Sequence, residues 1–242
     1  MTYNSEEIKK GIKLHKINTD KFKTTISAVF ITTPLSKETV TKNALITAIL
    51  RRGTKNYKTM EEISIELENM YGASFDCGVE KNGDNQVLKF YIESINDKYA
   101  DEDLLKRSTN ILLDIILNPL IENNGFNIDY LVQEKENLKD IIESKIDDKE
   151  QYALDRCAEE MYKNEPFGLY RYGYVRDLKE INEKNLYEQY IKLIDEAKID
   201  IFISGEFEND NVNEIINNNE YINKLNERNI SIRTSKMFTY KK

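Results

Sequence analysis

The chain has 242 residues, enough to bury a full core in one large domain. Its 43 acidic side chains outnumber 35 basic ones, for a net charge of −8, which argues against a nucleic-acid binder because that function needs a basic face. The only basic cluster is terminal (Arg233, Lys236, Lys241, Lys242), no apolar run approaches the roughly 20 residues of a membrane span, and the N-terminus lacks a basic-then-apolar leader, so a cytoplasmic protein that avoids membranes is expected.

Residues 12–17 and 22–33 are rich in β-branched side chains and partly alternate, so they read as two strands joined near Asn18-Thr19-Asp20 and ended by Pro34. From Lys37 to Arg52 the apolar residues Val40, Ala44, Ile46, Ala48, Ile49 and Leu50 have helical spacing. A second helix starts at Thr59, where Thr59 and Glu62 have the form of a capping box, and turns Ile63, Leu67 and Met70 inward. Strands at about 73–80 and 86–95 flank Asn82-Gly83-Asp84, a hairpin signal. Residues 101–117 form an amphipathic helix stopped by Asn118-Pro119. The stretch 127–163 reads as two helices meeting near Asp147-Asp148-Lys149, followed by a helix over 182–195, a strand over 199–204 ending at Gly205, and a short helix over 210–217. Strand pairs segregated from helix runs predict an α+β fold with an antiparallel sheet and helices on one face. Residues 1–218 are expected to be one domain, and 219–242 a polar tail or the start of a linker to a second domain.

Chemistry-bearing side chains are sparse. Cys77 and Cys157 have no ligand spacing and read as buried small hydrophobes. His15 is the only histidine and reads as structural or solvent-facing. The aromatic run from Phe167 to Tyr174 lacks a basic groove for base stacking, so a packed loop is expected there.

Four stretches, taken together, resemble the insulinase/pitrilysin-type zinc metallopeptidases, in the N-terminal type of domain. They are Ala44–Thr54; the helix ending Leu67-Glu-Asn-Met-Tyr71-Gly72-Ala73; Glu134 to Glu143; and Glu165-Pro166-Phe167-Gly168 onward through Gly173 and Tyr190 to Gly205-Glu206. In that family the first helix carries His-x-x-Glu-His ahead of Gly-Thr. Anchored on Gly53-Thr54, the three positions fall on Ala44, Thr47 and Ala48. Two imidazoles one turn apart can share a Zn²⁺ and a carboxylate between them can activate its water; two methyl groups and a hydroxyl can do neither. The wording around Tyr71-Gly72-Ala73 and Asp148 to Ala153 is similar to a bacterial subfamily without the motif.

The resemblance implies three further expectations. A third zinc ligand lies on a distant helix, seven residues after a supporting glutamate; Glu143 and Glu136 match, as relics on what otherwise reads as a solvated acidic face. Family members hold peptide as an added strand, which here would lie along Ser74, Phe75, Asp76, Cys77, Gly78, Val79 and Glu80. They also close two such domains around a chamber, so the partner would be an active insulinase-type subunit or a second domain. The expected function is therefore a non-catalytic structural or peptide-holding homologue that needs no cofactor, although active relatives use zinc. The alternatives are a residual zinc endopeptidase and a binding module unrelated to proteolysis.

Overall fold

The computed structural model describes residues 1–228. Its strands are β1 (Thr2–Lys9), β2 (Ile12–Asn18), β3 (Thr24–Pro34), β4 (Ser74–Asn82), β5 (Asn85–Ile95), the short pair β6 (Ile121–Glu122) and β7 (Gly125–Phe126), and β8 (Lys198–Gly205). Its helices are α1 (Val40–Leu50), α2 (Met60–Asn69), α3 (Leu104–Leu117), α4 (Ile128–Glu143), α5 (Lys149–Met161), α6 (Glu183–Glu196), α7 (Asn209–Asn217) and α8 (Glu220–Lys224).

Six strands form one sheet in the order β1-β2-β8-β3-β5-β4, so β4 is an edge strand. Side-chain alternation sends one face of each strand inward. On β5, Gln86, Leu88, Phe90, Ile92 and Ser94 are buried while Val87, Lys89, Tyr91 and Glu93 are half-buried. The register carries the same face across Val29 and Ile31 of β3 to Ile201 and Ile199 of β8, and α1 and α3 pack on it. The α+β class is the one the sequence predicts.

Two features differ from the sequence reading. The sheet is mixed, because β8 enters between β2 and β3, parallel to the first and antiparallel to the second. The helical passage through α6 returns the chain to that slot, as parallel neighbours require a long crossover. The other is β1, an eight-residue strand of mostly exposed side chains. It carries no apolar alternation, and it is a strand because Gly11, at φ 83°, turns the chain so that β1 pairs with β2.

Local chemistry sets the element ends. Thr59 Oγ1 accepts the Glu62 N–H at 3.1 Å, and the Glu62 carboxylate accepts from Lys58 rather than from Thr59, one residue earlier than a capping box. Between the paired Asn82 and Asn85, Gly83 turns at φ 57°.

Packing continues past the expected boundary at 218. Asn219 is buried and caps α8, Ile222 is buried, and Arg228 is buried with its guanidinium donating to Ala197 O at 3.1 Å. A polar composition hid these anchors, and the packed domain extends at least to Arg228. The terminal basic cluster lies outside the described residues. Among those described, no helix is long and apolar enough to cross a membrane.

Candidate functional site

Helix α1 is sunk into the domain. Ala44 is 3% exposed, and Thr47, equally buried, donates its hydroxyl back to Asn43 O at 3.0 Å. Ala48 is half-buried. The three positions therefore offer two methyl groups and a hydroxyl already committed to the helix backbone.

An amide relay that the sequence reading missed holds α1 in place. Asn43 Nδ2 donates to Gln86 Oε1 at 2.9 Å, and Gln86 Nε2 donates to Val40 O and Arg171 O at 3.0 and 2.9 Å. Gln189 Nε2 on α6 donates to Asn43 Oδ1 at 2.9 Å. Both Asn43 and Gln86 are fully buried, so each amide must find its partners inside the protein. Asn43 falls at helical spacing with Val40, Ala44 and Thr47, and a carboxamide on that stripe is the signal that could have revealed it.

Helix α4 turns inward a carboxylate other than Glu136 or Glu143. The carboxylate it turns inward is Glu134, 4% exposed and ion-paired with Arg52 just beyond α1. Glu136 is exposed and bonds Lys139 of its own helix at 2.7 Å, and Glu143 is also exposed. At about 100° per residue, Glu143 lies nine residues and half a turn away from Glu134, on the opposite side of the helix. Counting seven residues from Glu134 reaches Ile141, an apolar side chain. Among the described residues no group of three histidines, cysteines or carboxylates could hold a metal ion.

The Gly53-Thr54 turn is intact for structural reasons. A Cβ on Gly53 would come within 2.6 Å of Lys58 O. Thr54 Oγ1 donates to the buried Asp114 at 2.6 Å. Asp114 also accepts from Asn56 and Asn118 at 2.8 Å each and from Tyr221 on α8 at 2.5 Å. Burial and the bond to Asp114 push the Tyr221 hydroxyl up to about 12.

Strand β4 runs beside α1, and Cys77 lies 3.6 Å from Thr47 O. Phe75, Cys77 and Val79 pair with inward residues of β5, whereas Ser74, Asp76, Gly78 and Glu80 pair on the outer face. Burial pushes the Cys77 thiol up to about 11. The Asp76 carboxylate accepts the Cys77 N–H at 2.9 Å and the Tyr91 hydroxyl at 3.2 Å, and Glu80 pairs with Lys89 at 2.5 Å. At the far end, Lys81 donates to Phe167 O and Leu169 O, pinning the aromatic stretch, which is a packed loop with Tyr170 buried.

One expectation falls away elsewhere in the molecule. Cys157 is exposed, because α5 buries none of its residues. His15 has an acidic partner that the sequence did not locate: its Nε2 is 3.0 Å from Asp200 Oδ1, its Nδ1 is 2.8 Å from the Tyr3 hydroxyl, and it stacks on Phe202. Strand β8 brings Asp200 across 185 residues of sequence, a juxtaposition invisible before folding. Both ring nitrogens are engaged, which fits a structural role.

No family model matches the chain. It is 34% identical over 209 residues to a Bacillus subtilis protein described as "Probable inactive metalloprotease YmfF", a match that takes in 85% of this chain and 49% of that one. In structure it is similar to a conserved protein from Enterococcus faecalis, with TM-score 0.85 and 30% identity over 93% of this chain and 53% of that one. It also shares its fold with a peptidase M16 inactive domain from Pseudomonas fluorescens, with TM-score 0.69 and 14% identity over 89% of this chain and 49% of that one. The chain thus spans about half the length of the relatives it matches.

Proposed function

Because this chain belongs to the insulinase-type peptidase family as a member without the zinc motif, we propose that it is a cytoplasmic, non-catalytic subunit that holds peptide beside a domain or subunit retaining the metal chemistry. One observation carries the reading: α1 sits firmly in place with Ala44, Thr47 and Ala48 where metal chemistry would be, and β4 beside it is the last strand of the sheet. Strand addition needs only unpaired backbone donors and acceptors, so it survives the loss of the metal. This chain holds no zinc in that role. A half-open site binds peptide weakly, since ordering the peptide goes uncompensated until a second domain covers its other face.

The test is peptide binding by the chain in complex with an insulinase-type subunit that retains His-x-x-Glu-His, compared with Cys77→Pro. Proline removes the N–H that Asp76 now accepts and sets an obstacle at the middle of the edge. The variant is expected to unfold cooperatively and to bind an extended peptide at least tenfold more weakly. Unchanged peptide affinity in a folded variant would remove β4 from the function.

A further inference from the structure

Helix α5 is turned inside out. None of its 13 residues is buried, yet Leu154, Cys157 and Met161 recur at helical spacing on the side facing solvent, with Leu154 60% and Met161 70% exposed. Ile146, just before the helix, is 48% exposed as well. The side facing the domain is mixed, with Tyr152, Asp155, Ala158 and Glu159 half-buried. Glu159 bonds Lys145 at 3.3 Å, and Lys145 lies over the rings of Tyr152 and Tyr170. Scattered exposed apolar residues are ordinary, but an ordered stripe along the solvent side of a helix marks a contact surface.

Charge indicates what covers it. Glu150 and Glu160 are exposed beside the stripe, one turn before Leu154 and three residues after Cys157. Of the nearby cations, Arg156 is turned to Glu159 and Glu160 of its own helix at 2.5 and 2.6 Å and Lys149 donates to Ile146 O at 2.7 Å; with Lys163 beyond Met161 they are still outnumbered by Asp147, Asp148, Glu150, Asp155, Glu159 and Glu160. A second copy would set these acids against themselves across a two-fold axis. The fitting occupant has an apolar centre flanked by lysine or arginine. The helix rests on the loop Pro166–Gly168, where Tyr162 packs edge-on against Phe167. Lys81 ties that loop to the end of β4, so the stripe borders the edge proposed to hold peptide.

We infer that the Leu154–Met161 face of α5 is the docking surface for the partner domain that closes the β4 edge, presenting an apolar centre with basic flanks. The inference rests on the peptide-holding reading, and relatives about twice this length leave room for a domain of this size.

The chain, titrated with a purified insulinase-type subunit that retains His-x-x-Glu-His, should form a heterocomplex measurable by light scattering and calorimetry. Leu154→Gln with Met161→Gln should weaken it at least tenfold. Both side chains are exposed, so the unfolding midpoint should stay at the wild-type value. Glu150→Gln with Glu160→Gln should weaken it about threefold and flatten its salt dependence. A complex indifferent to the Leu154 and Met161 changes overturns this surface and leaves the peptide-holding reading standing. Absence of any complex overturns both. Self-association of the wild-type chain that the double variant abolishes would make a second copy the occupant and overturn the basic-flanked partner.

Discussion

The middle of α1 and the turn just beyond its C-terminal end have had opposite fates. In the middle, Ala44 and Ala48 offer only methyl groups and Thr47 bonds its own backbone. Beyond the end, Gly53 is required by a close backbone approach, and Thr54 is one of four donors converging on Asp114. The groups that would perform chemistry are gone, while those that fix the position of the helix remain. Metal ligands contribute to activity and little to the packing of an apo domain, whereas a buried carboxylate that loses its donors costs the fold directly.

That contrast can be broken most sharply at Asp114. Asp114→Ala is expected to lower the free energy of unfolding in urea by about 2–4 kcal/mol, because the buried Thr54 hydroxyl and three more accessible donors lose a charged acceptor together. Ala48→Ser, in the middle of the helix, should change it by less than about 1 kcal/mol. Comparable effects at the two places would dissolve the distinction.

The next largest effect is in pH. The Cys77 thiol ionises near 9 in the unfolded chain and near 11 in the folded one. Below pH 9 it is neutral in both states and its full contribution is present. As pH rises from 9 to 11 the unfolded chain loses the proton first, so stability falls by about 2–3 kcal/mol and levels off above 11. The difference in stability between wild type and Cys77→Ala should shrink through that window, since tyrosine titrations common to both cancel. A difference constant from pH 8 to 12 would contradict it.

Rebuilding the motif sharpens the comparison further. Ala44→His, Thr47→Glu and Ala48→His together should confer weak Zn²⁺ affinity. Adding Ile141→Glu should tighten it about tenfold by supplying a ligand two turns beyond Glu134, whereas Glu143→Ala in the same background should leave it unchanged. Zinc titration distinguishes the two glutamate positions, and dependence on Glu143 would reverse the register assigned to α4.

The smallest effect is at the edge strand. Asp76 occupies the Cys77 N–H, so a visiting strand competes with it. Asp76→Ala should raise peptide affinity about two- to fivefold, consistent with the modest net worth of one hydrogen bond. Weaker binding would mean that the carboxylate itself contacts the peptide.

The sequence displayed much of this molecule. Helical spacing in α1, α3 and α6, the Gly83 hairpin and the Thr59 cap could be read directly, because each depends on neighbours within a turn. Strand β1 could not, since its side chains face solvent and only pairing with β2 makes it a strand. The stretch after 218 read as a tail because its composition is polar, yet Ile222 and Arg228 find partners far away in the chain. On α4 the glutamates seven residues apart are Glu136 and Glu143, yet both are exposed, and only packing shows that Glu134 is the one facing inward.

The sequence by itself determined that this chain cannot assemble the zinc site at Ala44, Thr47 and Ala48, because covalent identity decides which lone pairs exist before any folding occurs. It also determined the local elements, through periodicity and capping. Tertiary structure alone decided which carboxylate faces α1, that Asp200 reaches His15, that Asp114 gathers four donors, and that β4 lies at the edge of the sheet. Those are distances between residues remote in the chain, set by strand order and helix packing, and no local pattern encodes them.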